Sequence, residues 1–177
     1  MKLLSLSYLI LLLTFLTSCA SLNPVSFANE TPNLDPVGFF GGRTTSTGVI
    51  ENAKGKPIDR IKTSTSGTVK DGKLYIEQDL ITEGKNTNHR SWSLKQIDEH
   101  HVHANSTDMD GTAKGLLYGN AFSWTYRMKL KNRKFLKHVR MQQNMYLMPG
   151  GNTLIIRSVI RKFGFTVAQI TEQFTKN

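Results

Sequence analysis

The sequence predicts an all-β domain, an antiparallel up-and-down meander of about ten strands closed into a barrel. Three observations lead there. Apolar and polar residues alternate with a period of two, turn signals recur at short regular intervals, and no segment carries a persuasive helical stripe.

Ala121 to Leu130 is the clearest strand. Phe122, Trp124, Tyr126, Met128 and Leu130 alternate with Ala121, Ser123, Thr125, Arg127 and Lys129, which puts one set on each face. Leu74 to Ile81 and Ser91 to Ile97 are similarly β-like, and Thr153 to Ile160 is rich in β-branched residues. Between such runs lie Lys70-Asp71-Gly72-Lys73, Glu83-Gly84-Lys85-Asn86, Asp108-Met109-Asp110-Gly111, Gly119-Asn120, Lys131-Asn132-Arg133 and Pro149-Gly150-Gly151-Asn152. Asp-Gly and Gly-Asn pairs supply the positive φ angles of tight hairpins. A helix-free meander has two open edges, and closure into a barrel removes both. The alternation alone also fits a barrel with its apolar face turned to lipid. The soluble arrangement is preferred, because an embedded barrel has little use for the lipid anchor read below and the chain ends Phe174-Thr175-Lys176-Asn177 instead of on an aromatic residue.

Residues 1–18 read as an export signal: Lys2 precedes an apolar run, Leu3 to Leu16, broken only by Ser5, Ser7 and Thr14. The run is too short for a span, which needs about 20 apolar residues. Leu16-Thr17-Ser18-Cys19 resembles the lipobox of bacterial lipoproteins, in which the cysteine is acylated. Cys19 is the sole cysteine of the chain, so it has no internal disulfide partner, and lipidation gives it a chemical fate. Multiple acyl chains, at about 0.8 kcal/mol per buried methylene, make a lasting anchor. Ala20 follows in place of the aspartate that resembles an inner-membrane retention signal, so the expected location is the bacterial cell envelope, at the outer membrane facing the periplasm. Residues 19–37 hold Pro24, Pro32 and Pro36 and are expected to form the lipidated N-terminus and an extended tether. Residues 38–177 are the size of one domain.

Without Met1 to Ser18, whose only charge is Lys2, 22 basic and 13 acidic residues remain, a formal charge of +9. Export makes nucleic acid an unsuitable partner for that surplus. Anionic lipid headgroups and anionic envelope polymers are the counterparts at hand, although the basic residues are spread along the chain and a solvated basic surface is the plainer reading.

Over Gly38 to Phe174 the chain resembles the bacterial lipoprotein family known as domain of unknown function 3833. The resemblance rests on Gly38-Phe39-Phe40-Gly41, Arg90-Ser91-Trp92, Asp110-Gly111-Thr112-Ala113, Gly119-Asn120-Ala121-Phe122-Ser123-Trp124-Thr125-Tyr126, Met145-Tyr146 and Lys162-Phe163-Gly164-Phe165. It departs at Gln143-Asn144, where the family has an acidic residue and a tryptophan. The resemblance implies a lipocalin-like barrel and no assigned activity.

Motifs of known chemistry are few. Asp98-Glu99-His100-His101-Val102-His103 puts His101 and His103 on one face of a strand, a pair suited to zinc or copper, but it lacks a third ligand at a diagnostic spacing, and no metal is expected. No Gly-x-Ser-x-Gly elbow, phosphate loop or dinucleotide fingerprint occurs. Neither a cofactor nor an enzyme is expected on that ground.

The remaining constellation is aromatic and basic: Arg90 and Trp92, Trp124 and Tyr126, and Arg140 and Arg157 on later strands. If these residues reach a barrel cavity, an arginine pairs with a carboxylate or phosphate and the aromatics cover an apolar body, as for a fatty acid or lipid. If the barrel is filled, the aromatics are core, the arginines face solvent, and the protein is an interaction or structural component of the envelope. A cavity of about 300 Å³ or more with an arginine in its wall favours the first reading.

Overall fold

The computed structural model describes residues 22–130 and 136–177. The expected signal peptide, Cys19 and the Lys131-Asn132-Arg133 turn lie outside the described residues.

Ten strands form the domain: β1 (Gly42–Asn52), β2 (Pro57–Lys70), β3 (Lys73–Thr82), β4 (Asn88–Gln96), β5 (His101–Ser106), β6 (Met109–Tyr118), β7 (Ala121–Lys129), β8 (His138–Leu147), β9 (Thr153–Lys162) and β10 (Phe165–Lys176). Each pairs antiparallel with its neighbour in sequence, and β1 pairs with β10, Gly48 opposite Glu172, so the barrel is closed. The predicted all-β meander is the observed one.

Turns fall at Asp71-Gly72, at Gly119-Asn120 and around Gly150-Gly151, all with glycines at positive φ. The expected turn at Asp108–Gly111 is shifted. β5 ends at Ser106 and β6 begins at Met109, while Gly111, at φ 75°, lies within β6 where its register against β7 slips between Asp110 and Lys114. The glycine there serves a bulge instead of a hairpin tip.

The alternation sorts residues as it should. Phe122, Trp124, Tyr126 and Met128 of β7 are buried, as are Leu74 and Ile76 of β3, Trp92 and Leu94 of β4, and Leu154 and Ile156 of β9. Burying a side chain such as Phe122 contributes about 1.5–3 kcal/mol relative to exposure. Beside the buried Ile61, β1 and β2 turn hydroxyl-bearing residues inward: Thr44, Ser46, Thr63 and Thr65 are buried. The interior thus has an aromatic side, on β4 and β7, and a hydroxyl side.

Over its described part the expected tether is corrected. A 3-10 turn (Pro24–Phe27) and a short helix, α1 (Pro36–Phe40), pack on one end of the barrel. Pro24, Leu34, Pro36, Phe39 and Phe40 are buried, and Leu34 N donates to Gly119 O at 2.8 Å. The prolines reduce the number of donors needing partners, so this irregular segment can lie on the barrel end without a strand ladder. Gly119, at φ 50°, permits the approach, since a Cβ there would stand 1.9 Å from Phe27 O. α1 contacts β1 to β4 and its Phe40 ring packs edge-on against Phe174. The segment is therefore a plug at the end where β1 begins and β10 finishes.

Candidate functional site

A ten-stranded wall encloses more width than an eight-stranded one, which side chains just fill. Here they leave a cavity of about 70 Å³ beneath α1. Its wall includes Arg90, Trp92, Trp124, Gln78, Gln143 and Glu172, with Phe40 and Phe174 on the plug side. At about 10–15 Å³ per water this space holds a few water molecules, below the 300 Å³ or so of a drug-sized pocket.

Hydrogen bonds set the aromatic side. Trp92 and Trp124 stack with ring centres 5.5 Å apart and planes 13° from parallel. Trp92 Nε1 donates to Gln78 Oε1 at 2.9 Å, and Trp124 Nε1 donates to Gln143 Oε1 at 2.8 Å. Tyr126 OH donates to that same oxygen at 3.2 Å, while Gln143 Nε2 donates to Ser158 Oγ at 2.9 Å. One amide thereby satisfies an indole, a phenol and a hydroxyl in a place where an unpartnered polar group is costly. Burial pushes the Tyr126 phenol far up, so it stays a donor.

Two ionisable groups reach the interior. Glu172, 8% exposed, accepts from Ser46 Oγ at 2.8 Å and Thr63 Oγ1 at 3.0 Å, both on Oε1. Its pKa is raised, chiefly by burial, against the opposing pull of those hydroxyls and of Arg90. Among the described residues Oε2 has no hydrogen-bond partner. Arg90 lies across the Trp92 ring, 5.6 Å from its centre. Its Nε is 2.8 Å from Asp108 Oδ2, off the line of the N–H bond, and among the described residues Nη2 meets only the Met128 sulfur at 3.3 Å. A thioether is a weak acceptor, which leaves the guanidinium with donor capacity to spare.

Of the six residues singled out from the sequence, the barrel brings together Arg90, Trp92, Trp124 and Tyr126. Arg140 and Arg157 are not with them. Each is exposed on the outer face, because Val139 and Met141 in β8, and Ile156 and Ser158 in β9, take the inward positions on either side. Sequence reasoning missed Glu172, Gln78, Gln143 and Asp108. The signal for Glu172 was parity: it lies in phase with Ile170 and Phe174 on β10.

His101 and His103 do share the outer face of β5, but Asp98 engages His101 Nδ1 at 2.8 Å and Lys114 stands opposite His103. Among the described residues no group of three or more His, Cys, Asp and Glu is placed to hold a metal ion.

The family described as a protein of unknown function, DUF3833, matches residues 13–176. The chain belongs to that family. No curated protein matches the sequence. Among solved structures the chain is similar to the S-type phycobiliprotein lyase CPES from Guillardia theta, at 7% identity and a TM-score of 0.59, over 81% of this chain and 93% of that one. The likeness is one of fold, a lipocalin-like barrel. It also corrects the expectation of a non-enzyme: a barrel of the same shape belongs to a protein named as a lyase, so lacking the motifs of hydrolases and nucleotide enzymes gives no ground for excluding catalysis here.

Proposed function

We propose that this DUF3833 barrel is an envelope lipoprotein, acylated at Cys19 and facing the periplasm at the outer membrane, that binds a small amphipathic ligand bearing a carboxylate or phosphate. The observation that carries the binding reading is Arg90, half-enclosed in an aromatic cavity with guanidinium donors that, among the described residues, only a thioether and one misaligned carboxylate engage. The ligand's anionic end pairs with Arg90, and Trp92, Trp124 and Phe122 cover the adjoining apolar atoms. At about 70 Å³ the cavity takes the head of such a ligand as it stands. A longer fatty acid or lipid requires α1, which supplies Pro36 and Phe40 to the wall, to move aside.

Trp92 and Trp124 are the only tryptophans of the chain and both line the cavity, so tryptophan emission, excited apart from the tyrosines, reports on this space. The test is mass spectrometry of lipid co-purifying with residues 19–177, followed by titration of fatty acids against emission and melting temperature. Saturable quenching with a raised melting temperature, lost in Arg90→Leu, is expected. No co-purified ligand, together with no change on adding fatty acids or their phosphate analogues, sinks the reading. For the anchor, radiolabelled palmitate should enter the wild-type chain and not Cys19→Ser. Equal labelling of both removes it.

A further inference from the structure

β7, β8, β9 and β10 are contiguous in the wall. Residues 121–177 contain 11 of the 23 Lys and Arg but one of the 13 Asp and Glu, a formal +10 that equals that of the entire chain. The one acid, Glu172, is buried inside the barrel. Residues 1–120, with 12 basic and 12 acidic residues, are balanced, and eight of the 11 basic residues beyond them lie among the described residues of the β7 to β10 side.

Within that wall Arg127, Arg140 and Arg161 stand directly opposite one another across β7, β8 and β9. Like charges at opposed positions destabilise a sheet, and an anion lying over the row would relieve them. The described residues supply none. Asp110, opposite Arg127, gives its carboxylate to Lys129 at 2.7 Å and His138 at 2.9 Å, while Arg161 Nη1 donates to neutral Gln142 Oε1 at 2.8 Å. Among the described residues no carboxylate pairs with any of the three arginines. Beside the row, the β9–β10 hairpin projects Phe163, 79% exposed, with Phe165, 77% exposed, next to it. Its two-residue turn has φ 50° at Phe163 and 85° at Gly164, a geometry that Asn-Gly satisfies best, so the turn itself does not call for a phenylalanine.

We infer that this wall docks on the surface of an anionic phospholipid bilayer, with Arg127, Arg140 and Arg161 against lipid phosphates and Phe163 and Phe165 in the interface. Guanidinium forks match phosphate oxygens, and aromatic side chains settle at headgroup level, so the two halves of the patch suit the two layers of a membrane surface. The 3-10 turn of the plug lies against β6 and β7, and Phe27 packs on Tyr146, outside β8. The docking stands on the wall and is tested without the anchor.

The experiment is flotation of residues 19–177 carrying Cys19→Ser, which retain every described element, with vesicles of phosphatidylcholine alone or mixed equally with phosphatidylglycerol. Binding to the mixed vesicles only, weakened by salt, is expected. Arg140→Glu, at the centre of the row, should weaken it on the order of thirtyfold, at roughly fivefold per unit of charge. Arg140→Gln is the milder variant should the first fail to fold. Phe163→Ser should weaken binding with the salt dependence kept, and Lys62→Glu on β2, an equal charge change on the balanced side, should leave binding unaltered. Equal binding to both vesicles, binding to neither, or indifference to Arg140 overturns the proposal. So does release by inorganic phosphate, which would mark a free-anion site, or capture by polyglutamate without capture by vesicles, which would mark an acidic protein partner.

Discussion

Ser46 Oγ donates to Oε1 of Glu172 at 2.8 Å inside the barrel, and the same oxygen accepts from Thr63. These hydroxyls favour the carboxylate, yet burial prevails and the pKa is raised. The folded state therefore holds a proton that the unfolded chain has released. Both states are protonated below the ordinary glutamate value of about 4.3, and stability falls as pH climbs from there through the folded pKa. Glu172→Gln should abolish that component. The difference between wild-type and variant melting temperatures, followed across pH, should be flat in acid and move in the variant's favour as pH rises. A difference that does not change with pH shows that Glu172 titrates normally. Asp59, Asp98 and Asp110 act oppositely, with lowered pKa values, and cancel in this comparison.

Asp108 competes with any anionic ligand for Arg90. With side chains 17% and 18% exposed, the pair is half-buried, and breaking it by Asp108→Asn should cost about 1–3 kcal/mol of stability. The same change should tighten binding of a fatty-acid carboxylate, by roughly tenfold for each 1.4 kcal/mol of attraction recovered. Arg90→Leu should remove binding whether or not Asp108 is present. Titration of tryptophan emission in the two single variants and the double variant checks this. Weaker binding in Asp108→Asn would show that the carboxylate orients Arg90 instead of competing for it.

The wall of the barrel was legible because period-two alternation is a local signal. Phe122 to Leu130 could be sorted into faces without knowing any partner strand. The interior polar set was less so, since Glu172, Gln78 and Gln143 look like surface residues until closure turns their strands inward, and the hydroxyls that hold Glu172 come from β1 and β2, over a hundred positions away. Arg140 and Arg157 were grouped with the cavity by composition, and counting parity from Met141 and Ile156 would have placed them outside. The proline-rich start was read as a tether because proline biases the chain toward extended geometry. That bias does not prevent docking once Leu34 and Phe40 have a barrel end to cover.

Gln143 carries three contacts on one amide: it accepts from Trp124 and Tyr126 and donates to Ser158. Gln143→Leu keeps most of the volume but strands two buried donors, at about 1–3 kcal/mol for each unsatisfied group. The expected result is a large fall in melting temperature with a shift in Trp124 emission. Gln143→Glu, which retains an acceptor for the indole and the phenol, should lose less. Equal losses in the two variants would mean that the network is packing alone.

Gly67, on β2, faces the last residue of α1 so closely that a Cβ there would stand 1.8 Å from Phe40 O. The obstacle is backbone, not the end of a flexible side chain, so Gly67→Ala cannot be relieved by a rotamer change. Either β2 bends or the plug lifts, and the plug, joined to the barrel by Gly41 and fewer contacts, is the weaker element. The variant should keep the closed barrel, with an unchanged far-ultraviolet spectrum, while Phe40 withdraws from the cavity. Hydrogen exchange should then accelerate at Phe39 N and Gly41 N, whose bonds to Asp35 O and Val37 O close the helix. If α1 is the part that yields to a long ligand, this variant should also bind fatty acids faster than wild type, as stopped-flow tryptophan emission would record. Unchanged exchange at Phe39 and Gly41 would place the strain in β2. Faster exchange without faster binding would show that ligand enters elsewhere in the wall.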